Sequence, residues 1–453
     1  MLELKSIQNA HFIGIGGVSM SALAMMLKNM GISVSGSDFH ISPTTQYLSE
    51  QGIPVSFGHS AENIPANTDF VVYTAAIAKD NPEFQYAVAN QITCISRAKL
   101  LGQIMEEYQK SIAVSGTHGK TTVTSMLSHI LTAADVDPTI TVGAYLDKLK
   151  ANYRIGNSEY FLLEACEYCN SFHNFFPNTS IILNISEDHL DFFKDLADIH
   201  NSFHQFGKNT KENLVVNAEL LSVPSLLDGL DLNIISFGKG GDYHAENISY
   251  QASGAPSFDV FHKEDFLMRI ELSVFGEHNI LNALAAIAAA HTLGIPATAM
   301  QEGLKEFRGA ERRFQHKGNL AGIEIYDDYA HHPEEIASTL AAVKNLPHKN
   351  LWLIFQPHTY SRTKLLFDDF VKVLSQAENV ILTDIYAARE KNTYQISSKD
   401  LFEAIHVHNP NSYYFETFDE IENFVLEQAI PGDMLITMGA GDVYFIGESL
   451  LSL

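Results

Sequence analysis

Apolar runs of strand length alternate with segments of helical periodicity along the chain, in three successive stretches. In the first stretch, HFIGIGG predicts a strand that ends in a glycine turn, and SMSALAMMLKNMG predicts a helix closed by Gly31. Uninterrupted apolar runs are typical of strands buried on both faces, as in parallel sheets covered by helices. The pattern therefore predicts an α/β fold made of repeated strand–helix units.

The second and third stretches continue this pattern, with one irregular part. The second begins with the predicted strand SIAVSG and the helix TTVTSMLSHILTAA, and it ends with the helix GEHNILNALAAIAAAHTLG, closed by Gly294. The third begins near Glu311, and its predicted strands are IEIYDDYA, LWLIFQP, NVILTDIYAA and DMLITMGAGD. Residues 238–270 are less regular, and we predict strands joined by turns there. A length of 453 residues fits two to four domains at roughly 100–200 residues each.

The composition narrows the class of protein. Hydrophobic residues make up 46% of the chain and charged residues 18%, which predicts packed cores rather than general disorder. The formal net charge of −25 repels nucleic-acid phosphates and anionic membranes, and no lysine- or arginine-rich run offsets it. No apolar run approaches the roughly 20 residues of a membrane span, and we expect no signal peptide. We therefore expect neither nucleic acid nor a membrane as a partner.

The cysteines argue for a reducing compartment. The chain has Cys94, Cys166 and Cys169, too few for a disulfide framework, so we expect a cytoplasmic protein. Cys166 and Cys169 form a CxxC, but a structural zinc site needs two further ligands and no second cysteine pair exists. We therefore favour ordinary, unpaired cysteines over a metal or redox site.

The first glycine-rich turn is GIGGVS, which follows a predicted strand and opens a predicted helix. Gly14, Gly16 and Gly17 allow the backbone to approach a diphosphate at the helix N-terminus. Asp38 lies 24 residues beyond Gly14, a suitable distance for an acid that reaches a ribose. A serine replaces the third glycine of the dinucleotide fingerprint. A nicotinamide-dependent oxidoreductase and a purely structural turn are the alternatives for this motif.

The second glycine-rich turn lies in AVSGTHGKTT, again between a predicted strand and a predicted helix. A phosphate-binding loop of the form GxxxxGK[ST] ends in the same way, but Val114 stands where its first glycine belongs. Gly116 and Gly119 free the backbone, Lys120 can reach the β- and γ-phosphates, and a threonine hydroxyl can ligate Mg²⁺. The strand before the loop favours nucleotide binding over a chance surface turn.

Two clusters of acids and histidines follow apolar strands in the same stretch. Glu164 and Glu167 come just after one strand, and Asp188, His189 and Asp191 come just after another. Ligands of open α/β sheets gather at the carboxyl ends of the strands. The clusters therefore suggest a site for Mg²⁺ on a triphosphate, with helix capping or ordinary ion pairing as the alternative.

The remaining polar segments lie further along the chain. GEHNILNA offers Asn279 as a helix cap and Asn282 too deep in the helix to cap it. ERRFQHKG contributes Arg313, YDDYAHHPEE contributes His331, and QPHTYSRTK contributes His358 and Arg362. The cations of the last segment are suited to bind carboxylates or to stabilise charge on a transferring phosphoryl group.

In their order along the chain, these motifs resemble the Mur ligases of peptidoglycan synthesis. The resemblance covers GIGGVSMSALA, SGSD, GTHGKTT, NISEDH, HNILNA, RRFQ, DDYAHHPEE and QPHTYSRT. It implies three domains: a Rossmann-like UDP-sugar-binding domain at 1–108, a P-loop-type ATPase domain at 109–310 and a Rossmann-like amino-acid-binding domain at 311–453. It also implies ATP-dependent amide formation with Mg²⁺, and a GTxGKT loop in which Val114 is regular.

Matching motifs also imply roles for single residues. Lys120 is expected on the γ-phosphate, and the metal is expected on Thr121, Glu164 and His189. Asn279 is expected near the adenine with Asn282 behind it, Arg313 on phosphate, and His331, His358 and Arg362 around the amino acid. The other residues implied are Gly116, Thr117, His118, Gly119 and Thr122 for ATP, and Gly14, Gly16, Gly17 and Asp38 for the UDP-sugar.

Within the family, the motifs are most similar to those of members that join L-alanine to UDP-N-acetylmuramate. Several members that add later residues carry a carbamylated lysine downstream of the metal histidine, and LADIHNSFHQF offers no lysine for it. Members that attach a whole tripeptide to the same sugar nucleotide remain an alternative. A nicotinamide-dependent oxidoreductase and a non-catalytic nucleotide-binding regulator are alternatives from other classes.

Overall fold

The computed structural model describes residues 4–74, 77–146, 151–190, 192–251, 254–344, 346–388 and 390–452. The amino-terminal part forms a five-stranded parallel sheet of order β3-β2-β1-β4-β5. Its strands are β1 (Asn9–Ile13), β2 (Ser33–Asp38), β3 (Val55–Phe57), β4 (Phe70–Tyr73) and β5 (Thr93–Ser96). Its helices are α1 (Val18–Asn29), α2 (Pro43–Glu50), α3 (Pro82–Ala89) and α4 (Arg97–Glu106).

The central part forms a ten-stranded sheet of order β15-β14-β13-β12-β11-β10-β6-β9-β7-β8. Its strands are β6 (Lys110–Ser115), β7 (Thr139–Leu146), β8 (Ala151–Arg154), β9 (Tyr160–Glu164), β10 (Thr179–Ile182), β11 (Asn213–Asn217), β12 (Asn233–Phe237), β13 (Tyr243–Tyr250), β14 (Pro256–His262) and β15 (Asp265–Glu271). Its helices are α5 (Lys120–Ala133), α6 (Leu196–Lys208), α7 (Pro224–Leu227), α8 (His278–Thr292) and α9 (Ala297–Glu306). The irregular region predicted at 238–270 is the antiparallel meander β13–β15.

The carboxy-terminal part forms a six-stranded sheet of order β16-β17-β21-β18-β19-β20, antiparallel only at β16. Its strands are β16 (Gln315–Leu320), β17 (Ile323–Asp328), β18 (Leu351–Phe355), β19 (Asn379–Leu382), β20 (Ser412–Tyr414) and β21 (Met434–Met438). Its helices are α10 (Pro333–Val343), α11 (Tyr360–Leu365), α12 (Phe367–Leu374), α13 (Ser398–His406), α14 (Phe418–Gln428) and α15 (Tyr444–Leu451).

The predicted three-domain α/β fold is confirmed. Many of its strands are buried, which is why apolar runs in the sequence predicted them. β18 is buried at every position, as expected for a strand covered by helices on both faces. The exact domain limits stay a prediction. Among the described residues, no helix is long and apolar enough to cross a membrane. The cytoplasmic location stays a prediction as well.

The amino-terminal and central domains share one hydrophobic core. Leu100, Ile104 and Met105 of α4 belong to the same buried cluster as Phe161 of β9 and Phe172. A Cβ added at Gly102 of α4 would lie 1.9 Å from the carbonyl oxygen of Asn174, so the helix approaches the central domain too closely for any side chain. The carboxy-terminal domain contacts the central loops through polar pairs at the candidate site, and Phe275 of the central domain also packs against its hydrophobic core.

Candidate active site

The phosphate-type loop joins β6 to α5, as predicted. Gly116 and Gly119 have φ values of 142° and 85°, which favour glycine. Gly119 is the N-cap of α5. A Cβ at Gly119 would also lie 2.8 Å from Oδ1 of Asn282. Val114 is fully buried within β6, so the position that lacks a glycine belongs to the strand and not to the loop.

Lys120 folds back over its own loop. Its Nζ donates to the carbonyl oxygens of Gly116 at 2.6 Å and Thr117 at 3.0 Å, and it forms an ion pair with Glu167 at 2.9 Å. Burial alone would lower the pKa of Lys120, but the carboxylate of Glu167 outweighs it and raises that pKa above its usual range. The lysine is therefore a cation held at the loop by a carboxylate.

An oxygen-rich group stands beside this lysine. The hydroxyl of Thr121 donates to both carboxylate oxygens of Glu164, at 3.0 and 3.1 Å, and the backbone N–H of Gly143 donates to Oε2 at 2.8 Å. A Cβ at position 143 would lie 2.9 Å from the same oxygen, so a side chain there would displace the carboxylate of Glu164. A carboxylate and a hydroxyl in contact are hard donors of the kind that Mg²⁺ prefers.

His189 and Asp188 connect this group to the carboxy-terminal domain. Nε2 of His189 lies 3.9 Å from Glu167 and 3.7 Å from Asp188, and burial lowers the pKa of His189. Asp188 accepts a hydrogen bond from Arg362 at 2.8 Å. Burial opposes ionisation of Asp188, but Arg362 and His189 hold its pKa far below the usual range. Asp191, the third member of the predicted cluster, lies outside the described residues.

The two histidines predicted for the amino-acid site lie at the same junction. Nη1 of Arg362 lies 3.2 Å from Nδ1 of His358, and the rings of His358 and His331 are 5.8 Å apart. Burial and the guanidinium of Arg362 lower the pKa of His358 to about 4, and burial is the main reason that the pKa of His331 falls to about 3. Both imidazoles are neutral at neutral pH. A cavity of about 350 Å³ opens here, lined by His189, His358 and Arg362 among others.

A larger cavity of about 670 Å³ lies between the central and carboxy-terminal domains. Five residues predicted for ATP line it, and their role toward ATP stays a prediction: Gly119, Thr122, Asn279, Asn282 and Arg313. The amide of Asn282 donates to Oδ1 of Asn279 at 2.9 Å, and Asn279 donates to the carbonyl of Phe275 at 2.6 Å. Neither asparagine caps the helix, since α8 begins after Glu277 with no side-chain cap.

The two remaining loop residues of the prediction make different contacts. Oγ1 of Thr117 accepts from the backbone N–H of Ser186 at 2.9 Å, which ties the phosphate-type loop to the loop after β10. His118 reaches the carboxy-terminal domain, with its Nδ1 3.1 Å from Glu335. Arg313 lies 3.6 Å from the same carboxylate. Glu335 therefore joins two predicted ATP-site residues from different domains.

The first glycine turn lies at the carboxyl edge of the amino-terminal sheet. Gly14 has a φ of 78°, and Gly17 precedes α1 with no side-chain cap on the helix. Oδ2 of Asp38 accepts from the backbone N–H of Gly16 at 2.9 Å. The acid expected to reach a nucleoside thus contacts the turn itself here, and its role toward the ligand stays a prediction.

Sequence reasoning missed four contributors. Glu167 and Asp188 belonged to the predicted clusters, but the sequence did not reveal their partners. Glu167 pairs with Lys120, and Asp188 pairs with Arg362, which is 174 residues away. Glu335 was an unremarkable acid of the PEE segment. Arg97 gave no signal in its helix, yet it donates to Ser19 of the first turn at 2.8 Å.

Fold and site define a class: three-domain α/β proteins with a phosphate-type loop whose neighbours come from two domains. Three family models match successive parts of the chain. They are "Mur ligase family, catalytic domain" at residues 9–109, "Mur ligase middle domain" at 114–290 and "Mur ligase, glutamate ligase domain" at 312–441. The chain belongs to the Mur ligase family.

Individual relatives agree with this assignment. The chain is 52% identical over 445 residues to a UDP-N-acetylmuramate–L-alanine ligase of Agathobacter rectalis, covering 97% of each chain. It resembles the crystal structure of a UDP-N-acetylmuramate–alanine ligase from Thermotoga maritima, with a TM-score of 0.80, 31% identity and 98% of each chain covered. A murein peptide ligase from Psychrobacter arcticus matches with a TM-score of 0.70, 26% identity and the same coverage.

Proposed function

We propose that this chain is an ATP-dependent ligase that joins L-alanine to the carboxylate of UDP-N-acetylmuramate, a step of peptidoglycan precursor synthesis. One observation carries the proposal: a continuous set of contacts links the phosphate-type loop to a cationic pocket in another domain. It runs from Lys120 through Glu167, His189 and Asp188 to Arg362. A ligase needs the phosphorylating group and the amine to meet in this way, whereas a nucleotide-binding regulator does not.

The chemistry follows from the weakness of a carboxylate as an electrophile. The carboxylate attacks the γ-phosphorus of ATP, an acyl phosphate forms and ADP leaves. The amine of alanine then attacks the acyl carbon, loses a proton, and the tetrahedral intermediate expels phosphate to leave an amide. The protein's work is to align the three reactants and to stabilise the charge of the transferred group.

Lys120 is positioned for the first step. Its ammonium is held by Glu167 and by two loop carbonyls, all within 3.1 Å. A triphosphate on the loop offers Lys120 more negative charge than Glu167 does, so the ammonium turns to the γ-phosphate. The backbone N–H groups at the start of α5 then face the same anion. Thr117, His118 and Thr122 complete the loop around it.

Thr121, Glu164 and His189 would hold Mg²⁺, and the contact of hydroxyl with carboxylate fits that ion. A bound Mg²⁺ neutralises charge on the phosphate oxygens. Glu164 is kept in place by the backbone N–H of Gly143. His189 has a φ of 54°, a left-handed backbone conformation, and its Nε2 lies 3.9 Å from Glu167.

Arg362, His358 and His331 form the amino-acid site. Arg362 binds the carboxylate of alanine, an arrangement that a planar guanidinium favours. Its positive charge then no longer opposes protonation of His358, so the pKa of His358 rises from about 4 and the ring becomes a better proton acceptor for the amine. His331 stays neutral because it is buried, and it packs beside that ring.

The other predicted residues bind the substrates. Asn279 and Asn282 face the adenine in the large cavity, and Arg313 reaches the phosphates across the domain boundary. Gly14, Gly16 and Gly17 receive the UDP diphosphate at the start of α1. Arg97 donates a hydrogen bond to Ser19 of that turn at 2.8 Å, which places a cation beside it.

One experiment separates this function from its alternatives. The protein is incubated with UDP-N-acetylmuramate, ATP, Mg²⁺ and either L-alanine or the tripeptide, and phosphate release is measured. We expect turnover with L-alanine. Turnover with the tripeptide alone would favour a peptide-attaching ligase, and no turnover together with NAD(P)H binding would favour the oxidoreductase.

A further inference from the structure

A second cluster of possible metal ligands lies between the central and carboxy-terminal domains. It consists of His118, His332 and Glu334, which we call the bridging cluster. One ligand atom from each residue lies within 4.8 Å of the others, and the two imidazole rings are 5.0 Å apart. Nε2 of His118 is 3.4 Å from Oε2 of Glu334. None of the three belongs to the group of Thr121, Glu164 and His189.

Each ligand of the bridging cluster is oriented by a partner outside it. Nδ1 of His118 lies 3.1 Å from Glu335, Nε2 of His332 lies 3.1 Å from the carbonyl of Glu187, and Oε2 of Glu334 accepts from Ser186 at 3.0 Å. Nε2 of His118 is thereby left to face the cluster, whereas Nδ1 of His332 accepts the backbone N–H of Glu334 at 3.4 Å, a long contact that a metal ion would replace. Histidines that bind metals are held in this way by carboxylates and carbonyls. Nε2 of His118 is buried and has no hydrogen bond among the described residues.

The surroundings also favour a cation. Glu334 and Glu335 flank His118, and Arg313 also lies 3.6 Å from Glu335. The side chain of Glu334 is 59% exposed, which leaves a path from solvent.

The geometry points to a Zn²⁺ site in the bridging cluster, formed by His118, His332 and Glu334 with a water as the fourth ligand. Two imidazoles and one carboxylate suit zinc, whereas Mg²⁺ prefers oxygen ligands. The ion would tie the phosphate-type loop, through His118, to the start of α10. The cluster would thus act as a clamp between the two domains.

The test titrates the full-length chain with Zn²⁺ alone, without nucleotide, by calorimetry. We expect one site per chain, and at least about a tenfold weaker affinity in Glu334→Gln, since loss even of outer partners costs 10–100-fold. Glu187→Gln is the matched control, because it removes a neighbouring exposed acid that offers only its carbonyl to the cluster. Equal affinities for the wild type and Glu334→Gln would overturn the proposal.

A second measurement tests whether the added zinc binds to the cysteines instead. Cys166 and Cys169 are both free, and a CxxC also attracts zinc. X-ray absorption of the protein with one equivalent of Zn²⁺ should show nitrogen and oxygen ligands at about 2.0–2.1 Å. A sulfur shell at about 2.3 Å, or loss of binding in the variant Cys166→Ser/Cys169→Ser, would overturn it. Zinc should also raise the Tm of the wild type more than that of Glu334→Gln.

Discussion

The two glycine turns of this protein have the same backbone design and different chemistry. Gly14 and Gly119 both have positive φ, and each turn leads from a buried strand into a helix without a side-chain cap. The first turn contains no cation, and the carboxylate of Asp38 already occupies one of its N–H groups. The second carries Lys120, whose partner is the buried Glu167.

The difference lies in what surrounds each turn. The first belongs to a domain that shares a hydrophobic core with the central domain. The second faces a polar boundary, where Glu335 and Arg362 come from another domain. We therefore expect the first turn to bind a ligand and the second to take part in the reaction. In both, a side-chain carboxylate stands at the place where we expect the ligand's negative charge.

The largest expected effect tests the second turn. Lys120→Ala removes the cation expected on the γ-phosphate, and we expect turnover to fall by about 10³-fold, the scale seen when a charge-stabilising donor is lost. Phosphate release measures this, and circular dichroism checks that the variant is folded. Lys110→Ala is the control. Lys110 lies at the start of β6, the strand before the loop, and pairs with Glu159 at the surface, so this variant should behave like the wild type. Near-normal turnover of Lys120→Ala would contradict the difference drawn between the turns.

The next largest loss of turnover is expected at the polar boundary between the central and carboxy-terminal domains. Asp188→Asn weakens the 2.8 Å contact with Arg362, so the cationic pocket is no longer held at the central domain. We expect turnover to fall by about 100-fold, because small misplacements at a reaction site have effects of that size. Steady-state rates at varied L-alanine measure it. Glu187→Gln, a change in the adjacent exposed acid, is the control, and equal losses in both variants would argue against a specific role of the pair.

A smaller effect tests the first turn. In Gly16→Ala the new Cβ would lie 2.7 Å from Cγ2 of Thr45 and 2.8 Å from Oδ2 of Asp38, so the turn must shift. We expect KM for UDP-N-acetylmuramate to rise by about tenfold or more, equivalent to about 1.4 kcal/mol, with KM for ATP unchanged. Thr45→Ser keeps the capping hydroxyl and should leave both values as they are. A parallel rise in KM for ATP would show that the two turns are not separate sites.

The smallest effect concerns the support of the first turn. Glu83 is fully buried and accepts hydrogen bonds from Ser37 at 2.6 Å and Asn63 at 2.6 Å, and the carbonyl of Ser37 holds the N–H groups of Gly14 and Ile15. Burial opposes its ionisation, but His11, Ser37 and Asn63 lower the pKa of Glu83 from 4.5 to about 2. Its ionised form therefore stabilises the fold above pH 4.5, and this contribution is lost as the pH falls through 2.

Denaturant unfolding between pH 7 and pH 2.5 checks this expectation. The stability difference between the wild type and Glu83→Gln should shrink with acid by about 3 kcal/mol at most, from the size of the pKa shift. Glu62→Gln, at a neighbouring exposed acid, should show no such dependence. A constant difference across the range would mean that Glu83 stabilises the domain by packing alone.

Local patterns were enough for most of the fold and for part of the site. The strand β6, the loop after it and the helix α5 were readable because an apolar run, two glycines and a helical period lie next to each other in the chain. The same holds for β17 and β18 with the polar residues that follow them. Asn282 was only a weak candidate, because its position as the fifth residue of α8 does not reveal that its oxygen lies against Gly119.

The sequence by itself determined the α/β class, the family, and which polar segments end buried strands, since all of these rest on neighbours in the chain. Only the tertiary structure decided the partners: Lys120 with Glu167, Arg362 with Asp188, and His118 with Glu335. These pairs join residues that are up to 217 positions apart, and a charge finds its partner through the packing of whole domains. The physical reason is that periodicity specifies which face of an element is buried, whereas distance and desolvation between charges exist only once the elements have packed.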